Sequence, residues 1–171
     1  MMRADEHDAR QDSPDPQSLH TDQHADQHTD QHADQHAALS ALYNAMTTHG
    51  IAAVRKPLSI EVVQRHETGF TQYEVVPWSA DPGVPVLYLT SFEQTMDNGF
   101  EVARPMQLAK FRAGVDPYVA QWLTPTEHPL TMAPTWFLHP CRSRDWLEAT
   151  GGSWWLWLQY FGGAVGLQTV N

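Results

Sequence analysis

The chain has little cysteine and no secretory signal. Its 171 residues include a single cysteine, Cys141, so no internal disulfide can form. One cysteine in a chain of this size is typical of a reducing compartment. The first residues are polar and acidic, without the apolar stretch of a secretory signal. We therefore expect a cytoplasmic protein.

Basic stripes and long apolar runs are missing as well. The net charge is −10, and residues 1–37 carry nine acids but only two arginines. Residues 38–171 carry eleven acids and eight bases, with no lysine or arginine stripe that could neutralise phosphates. Even the most apolar window, residues 154–165, is too short to span a bilayer. We expect neither nucleic acid nor a membrane span.

A tetrapeptide repeat, TDQH-ADQH-TDQH-ADQH, occupies residues 21–36. It has no large apolar residue, so it cannot bury enough surface to offset the entropy lost on ordering. We predict that residues 1–36 are a disordered low-complexity segment and that residues 37–171 form one domain. Histidines four apart would line one side of a helix and could chelate a transition metal. A low-complexity expansion without a binding role is the simpler interpretation.

The remaining sequence predicts an α+β fold, with an antiparallel sheet flanked by helices. Apolar residues at 39, 42, 43 and 46 indicate a first helix that stops near Gly50. Short turn-rich breaks between the next three runs favour a meander. The predicted strands are Leu58–His66, Phe70–Val76, Val84–Phe92 and a short one at Trp136–Leu138. The predicted later helices are Pro105–Arg112, Arg142–Ala149 and Ser153–Tyr160, the last ending at Gly162-Gly163.

Two stretches of the predicted fold bear on binding. Residues 114–134 contain four prolines and are predicted to be irregular, as stretches that cover a functional site often are. Leu58–His66 mixes charge with β-branched residues, which is typical of an exposed outer strand. Such an edge is a candidate for docking a partner's strand.

The sequence around Cys141 has features that favour a reactive thiol. The sequence around it, WFLHPCRSR, ends an apolar strand at a His-Pro step and adds Arg142 and Arg144 after the thiol. A thiolate is the reactive form of cysteine, and nearby cations favour it. Buried packing is the competing interpretation, because free cysteine behaves as a small hydrophobe.

Three kinds of chemistry compete for this thiol. A Cys–His hydrolase would use His139, whose side chain would point to the same face as Cys141 if the chain were extended there, but no third member of a triad stands out. A metal site from His128, His139 and Cys141 would lack a fourth ligand and the usual paired spacing. A thioester carrier needs an accessible thiol and little general-base machinery, and this third interpretation suits the sequence best.

The chain resembles the autophagy-related protein 10 family over about residues 58–168. Five segments in order carry the resemblance: Val84–Leu89, Glu127–Pro129, Leu138–Cys141, Trp157–Leu158 and Gly163–Leu167. Members of that family are ubiquitin-conjugating-type enzymes for the modifier autophagy-related protein 12. The autophagy-related protein 3 family shares a His-Pro-Cys site, but its members carry long insertions for which this chain has no room.

The resemblance implies a ubiquitin-conjugating-like fold and a transferase in autophagy, without a cofactor or metal. Cys141 would carry the modifier as a thioester, loaded by the activating enzyme autophagy-related protein 7. The acceptor would be a lysine of autophagy-related protein 5, at sites of autophagosome formation. A non-catalytic adaptor of the same fold, and a conjugating enzyme for another ubiquitin-like modifier, are the alternatives.

One position departs from ordinary ubiquitin-conjugating enzymes. Those enzymes carry a His-Pro-Asn string whose Asn supports the oxyanion, whereas this chain has His128-Pro129-Leu130. His139 and Tyr88 are the candidates to support the intermediate in its place. The competing interpretations are that Tyr88 is a core aromatic residue and that His128-Pro129 is a turn that fixes the loop above the site.

Overall fold

A seven-stranded antiparallel sheet lies at the centre of the protein. The structure, a computed structural model, describes residues 21–106, 110–111 and 115–169, with side chains from Ala33 onward. The strands are β1 Ala53–Arg55, β2 Ile60–His66, β3 Gly69–Trp78, β4 Asp81–Asp97, β5 Phe100–Pro105, β6 Leu123–Glu127 and β7 Pro134–Leu138. The helices are α1 Thr21–Thr48, α2 Pro117–Ala120, α3 Pro140–Thr150 and α4 Trp154–Ala164.

The strands follow the order β1-β2-β3-β4-β7-β6, and β5 also pairs with β4. β2 to β4 form the predicted meander, to which β1 adds an unpredicted strand, and the α+β class with helices flanking an antiparallel sheet is confirmed. β4 is the organising strand because its middle pairs with β7 while its last residues pair with β5. The register sets Tyr88 opposite Phe137 and Leu89 opposite Trp136. Pairing with β4 therefore positions the end of β7, which is followed closely by Cys141.

Alternation along β3 and β4 separates two faces of the sheet. Tyr73, Val75, Leu87 and Leu89 belong to the hydrophobic core, together with apolar residues of α1 and α4. The intervening residues, Glu74 and Tyr88 among them, lie on the opposite face because side chains alternate along a strand. The sheet therefore has a mainly apolar face, on which the buried Thr71 and Ser91 hydroxyls bond to each other, and a face that carries charged groups.

α1 is longer than predicted. Its backbone is helical from Thr21, four turns before Ala37, and the chain leaves the helix at Gly50 with a φ of 76°. Burial begins only at the predicted apolar stripe, where Leu39, Leu42 and Met46 are each at most 1% exposed. A helix satisfies its own backbone hydrogen bonds, so it can extend beyond the residues that anchor it. The division into segment 1–36 and domain 37–171 stays a prediction.

α4 continues through the two glycines predicted to end it. Its last residue is Ala164, and Gly162 is buried within it. A Cβ on Gly162 would lie 3.0 Å from a side-chain carbon of Leu167, so the glycine lets the C-terminal segment pack against the helix. The Tyr73 hydroxyl donates to the Val165 carbonyl at 3.2 Å and joins this segment to the sheet.

The prediction for residues 114–134 was wrong in part, because α2 and β6 lie within that range. β6 carries Pro125, which a strand tolerates at an edge. Half of the predicted helix Pro105–Arg112 lies outside the described residues; Pro105 ends β5, and residues 110–111 are helical. No helix within the described ranges is long and apolar enough to cross a membrane.

The outer-strand prediction was wrong for the first half of β2. β1 covers Ile60 to Val62, which sequence reasoning missed because three residues are too few to show a period. Farther along β2, the Gln64 side chain donates to the Gly166 carbonyl and accepts from the Gln168 N–H, both at 2.8 Å. The C-terminal segment therefore borders the rest of this edge.

Candidate active site

Cys141 lies in the first turn of α3, immediately after β7. Pro140 opens the helix, where its missing N–H costs nothing and its fixed φ suits the first turn. His139 is the N-cap, and its Nδ1 accepts the Cys141 backbone N–H at 3.3 Å. A side-chain acceptor at this position satisfies a helix N–H that has no partner within the helix. The His-Pro step thus places a thiol at the start of an 11-residue helix.

The thiol is exposed and touches an imidazole. Cys141 is a free, exposed cysteine, and its Sγ lies 2.7 Å from His139 Nδ1. Because Nδ1 also accepts the Cys141 N–H, the neutral imidazole carries its proton on Nε2. Nδ1 presents its lone pair to both the Cys141 N–H and the sulfur, so it can accept the thiol proton, and the helix N-terminus favours a negative charge at this position. The geometry can therefore generate a nucleophile.

The two arginines after the thiol have other partners. Arg142 lies 3.7 Å from the Asp145 carboxylate and over the Trp122 ring, 5.4 Å from its centroid. The cations were expected to support the thiolate directly, yet neither has a recorded contact with the sulfur among the described residues.

Arg144 makes both an ion pair and a ring contact. It donates to Asp81 at 2.6 Å and lies over the Trp78 ring, 5.1 Å from its centroid. This pair joins α3 to the start of β4. The positive charge of Arg144 is therefore paired with Asp81 and attaches the helix to the sheet.

Tyr88 lies near the site but does not touch the thiol. Its ring stacks on Phe137 at 6.0 Å between centroids, and Phe137 lies 5.8 Å from the His139 ring. Burial raises the pKa of Tyr88, so the hydroxyl stays protonated at neutral pH and can only donate to a developing negative charge. The structure places Tyr88 two ring contacts away from Cys141.

A family model described as "autophagocytosis associated protein, active-site domain" matches residues 3–171. The chain belongs to this family. No curated protein and no solved structure matches it. Membership supports an autophagy-related enzyme of the conjugating type, and it gives the exposed thiol of this active-site domain a chemical context.

His128 fixes a turn in this active-site domain. It is 5% exposed, its Nδ1 accepts the Leu130 N–H at 3.2 Å, and its backbone bonds to Ala133 and Met132 close the β6–β7 connection. The turn interpretation of His128-Pro129 fits these contacts. The three ligands of the metal alternative do not assemble, and the described part of the chain has no group of three residues that could hold a metal.

A buried charge cluster on β3 escaped sequence reasoning. Glu74 is 2% exposed and its carboxylate accepts from the Ser59 hydroxyl, with Lys56 at 3.4 Å. His128 Nε2 lies 3.1 Å from the same carboxylate, an ion-pair distance whose angle is outside the hydrogen-bond range.

The pKa of Glu74 shows how well this carboxylate is compensated. Burial by itself would raise the pKa, but the contacts from His128 and Ser59 and the charge of Lys56 outweigh it and hold the pKa at about 2. In the sequence, Glu74 occupies a polar position of an alternating strand, which predicts an exposed face. Its partners are 15 or more residues away, so no local pattern reveals the cluster.

Proposed function

We propose that this protein carries the ubiquitin-like modifier autophagy-related protein 12 as a thioester on Cys141. The activating enzyme autophagy-related protein 7 would load the modifier, and a lysine of autophagy-related protein 5 would receive it without a separate ligase. The reaction belongs to cytoplasmic autophagosome formation. The resemblance described above supports the choice of these partners, and family membership supports the reaction class.

The observation that carries the proposal is the exposed Cys141 thiol with His139 Nδ1 at 2.7 Å. A thioester carrier must present its sulfur to two large partners in turn, so exposure matters more than a deep substrate pocket. A cysteine kept only for packing would be buried. The position beside an imidazole at a helix N-terminus adds the means to form a thiolate.

Loading is an exchange between two thioesters. The Cys141 proton passes to His139 Nδ1, and the sulfur attacks the carbonyl carbon of the modifier's C-terminal residue. A tetrahedral oxyanion forms, and its collapse expels the thiolate of the activating enzyme. The new C–S bond on Cys141 replaces the broken one, so no redox partner or cofactor takes part.

Transfer to the acceptor is an aminolysis. The neutral lysine amine attacks the same carbonyl carbon, the Cys141 sulfur leaves as the amide forms, and the proton lost by the amine passes to that sulfur. Partial burial of the amine at the site would favour its neutral form. An oxyanion forms in this step also, and the His139 imidazole is the proposed donor where Leu130 replaces the usual Asn, because Phe137 and His139 lie between Tyr88 and the thiol.

The test is reconstitution with purified components. The protein is mixed with the activating enzyme, the modifier and ATP, and the adduct is resolved with and without a thiol reductant. We expect an adduct that the reductant removes. An adaptor would give no adduct although its thiol is exposed, and a carrier for another modifier would load only when that modifier and its activating enzyme are supplied.

A further inference from the structure

Four aromatic rings form a row that ends at the thiol. His128 meets Tyr88 edge-on at 4.8 Å, Tyr88 stacks on Phe137 at 6.0 Å, and Phe137 lies 5.8 Å from His139. The rings come from the β6–β7 turn, β4, β7 and the N-cap of α3. The buried Glu74 carboxylate lies at one end of the row, 3.1 Å from His128.

The imidazole at the other end of the row has few contacts of its own. His139 is exposed, and the polar contacts of its ring in the described part of the chain are both with Cys141. An exposed side chain with two rotatable bonds ordinarily samples several rotamers. Only one of them places Nδ1 against the sulfur, so an additional restraint would increase the time spent in contact.

Phe137 is well placed to supply that restraint. Its backbone pairs with Tyr88 on β4 and with Thr124 on β6, so it lies in the interior of the sheet. Its ring stacks nearly parallel to Tyr88, at 19°, and faces His139 at 40°. Tyr88 is held in turn by the ring of His128, which the turn and Glu74 fix.

We propose that Phe137 is a positioning residue, which holds the His139 imidazole in the rotamer that contacts the Cys141 thiol. The rings behind it make that rotamer rigid, and Phe137 itself touches no reacting atom. The inference rests on the thiol used in the proposed function, but it needs neither the modifier nor its partners. It can therefore be tested with a small alkylating reagent.

The rate at which iodoacetamide alkylates Cys141 reports directly on the contact between His139 and the thiol. The Cys141 proton passes to His139 Nδ1, the sulfur forms a bond to the reagent's methylene carbon, and iodide leaves. The rate follows the thiolate fraction, which depends on the imidazole near neutral pH. At about pH 9.5 hydroxide can remove the thiol proton, so the rate no longer depends on the imidazole. Arg142 and Arg144, the nearest cations in sequence, are engaged elsewhere.

The experiment compares Phe137→Leu with the matched control Phe70→Leu. Phe70 is also a half-buried ring on the sheet and stacks on Phe92 at 4.7 Å, without contact to the site. We expect Phe137→Leu to lower the alkylation rate at about pH 7 by roughly two- to tenfold, the size of an aromatic contact. The rate at high pH should be unchanged, and Phe137→Tyr, which keeps the ring, should restore the rate.

A double-mutant cycle separates positioning from general damage. Asn at position 139 can still cap α3 but cannot take the thiol proton, so Phe137→Leu should have no further effect in a His139→Asn background. An equal loss in both backgrounds, or an equal loss from Phe70→Leu, would overturn the proposal. Because Cys141 is already exposed, unfolding is recognised instead by the loss of a cooperative thermal transition, which every variant should keep.

The two proposals fail in different ways. If Phe137→Leu alkylates normally while the wild-type protein forms the thioester, the positioning role is wrong and the proposed function stands. If the alkylation results are as expected but no thioester forms with the activating enzyme, the function is wrong and the positioning role stands.

Discussion

Two His-Pro steps in this chain have opposite surroundings. His128-Pro129 is buried beside a carboxylate, and both ring nitrogens of the histidine face groups inside the protein. His139-Pro140 caps an exposed helix, and its Nδ1 faces a thiol. The same dipeptide therefore serves the fold in one place and, in the function we propose, chemistry in the other. Exposure and the nearest titratable group distinguish the two roles.

Replacing the Cys141 thiol should have the largest effect on the exposed His139-Pro140 site. Cys141→Ser should abolish transfer to the acceptor amine, because a hydroxyl is a weaker nucleophile and a poorer leaving group than a thiolate. The modifier should accumulate as an oxyester that resists reductant but yields to hydroxide. The melting temperature should not change, since the side chain is exposed. Normal transfer by this variant would sink the thioester mechanism.

Removing the buried imidazole should damage the fold. His128→Ala leaves the Glu74 carboxylate with fewer partners in a buried site, which costs about 3 kcal/mol of unfolding free energy. The measurement is chemical denaturation at neutral pH. His139→Ala is the matched control and should cost about 1 kcal/mol through the lost helix cap. Equal losses of unfolding free energy from the two variants would show that the two histidines do not differ in their structural role.

Acid should destabilise the buried cluster first. The pKa of Glu74 falls from 4.5 when unfolded to about 2 when folded, so the ionised group stabilises the fold above about pH 4.5. That stability, about 3 kcal/mol at most, is lost as pH falls from about 4.5 to about 2. Denaturation measured across this range should show a shallower acid limb for Glu74→Gln. An unchanged limb would mean that other carboxylates dominate.

Replacing the exposed imidazole should slow the thiol without unfolding the protein. His139→Asn keeps an N-cap acceptor and removes the base, so alkylation of Cys141 at about pH 7 should fall roughly tenfold. The free energy of unfolding should change by less than about 0.5 kcal/mol. A variant that reacts as fast as the wild type would show that the contact of 2.7 Å between Nδ1 and Sγ does not activate the thiol.

Deletion of residues 1–36 should have the smallest effect. Among the described side chains of the deleted part, residues 33–36, His36 Nδ1 makes a polar contact with Arg55 of β1 at 3.4 Å, and burial begins at Leu39. We expect a change in melting temperature of a few degrees at most and normal thioester loading. A deletion ending at residue 46 is the control, because it removes Leu39, Leu42 and Met46 from the core and should unfold the protein.

Much of the fold could be predicted because its signals are local. The apolar stripe of α1, the alternation of β3 and the glycine at the end of α1 each follow from side-chain spacing or backbone freedom within a few residues. β1 and β5 could not be predicted, since each is stabilised by its neighbour more than by its own pattern.

The sequence by itself determined that there is one thiol, that a His-Pro step precedes it and that a helix follows it. These are covalent neighbours, and their spacing brings His139 beside Cys141 without help from the rest of the chain. Only the tertiary structure decided that the thiol is exposed, that Phe137 stands between Tyr88 and His139, and that Glu74 is buried against His128. Those relations join strands far apart in sequence, and strand register fixes them.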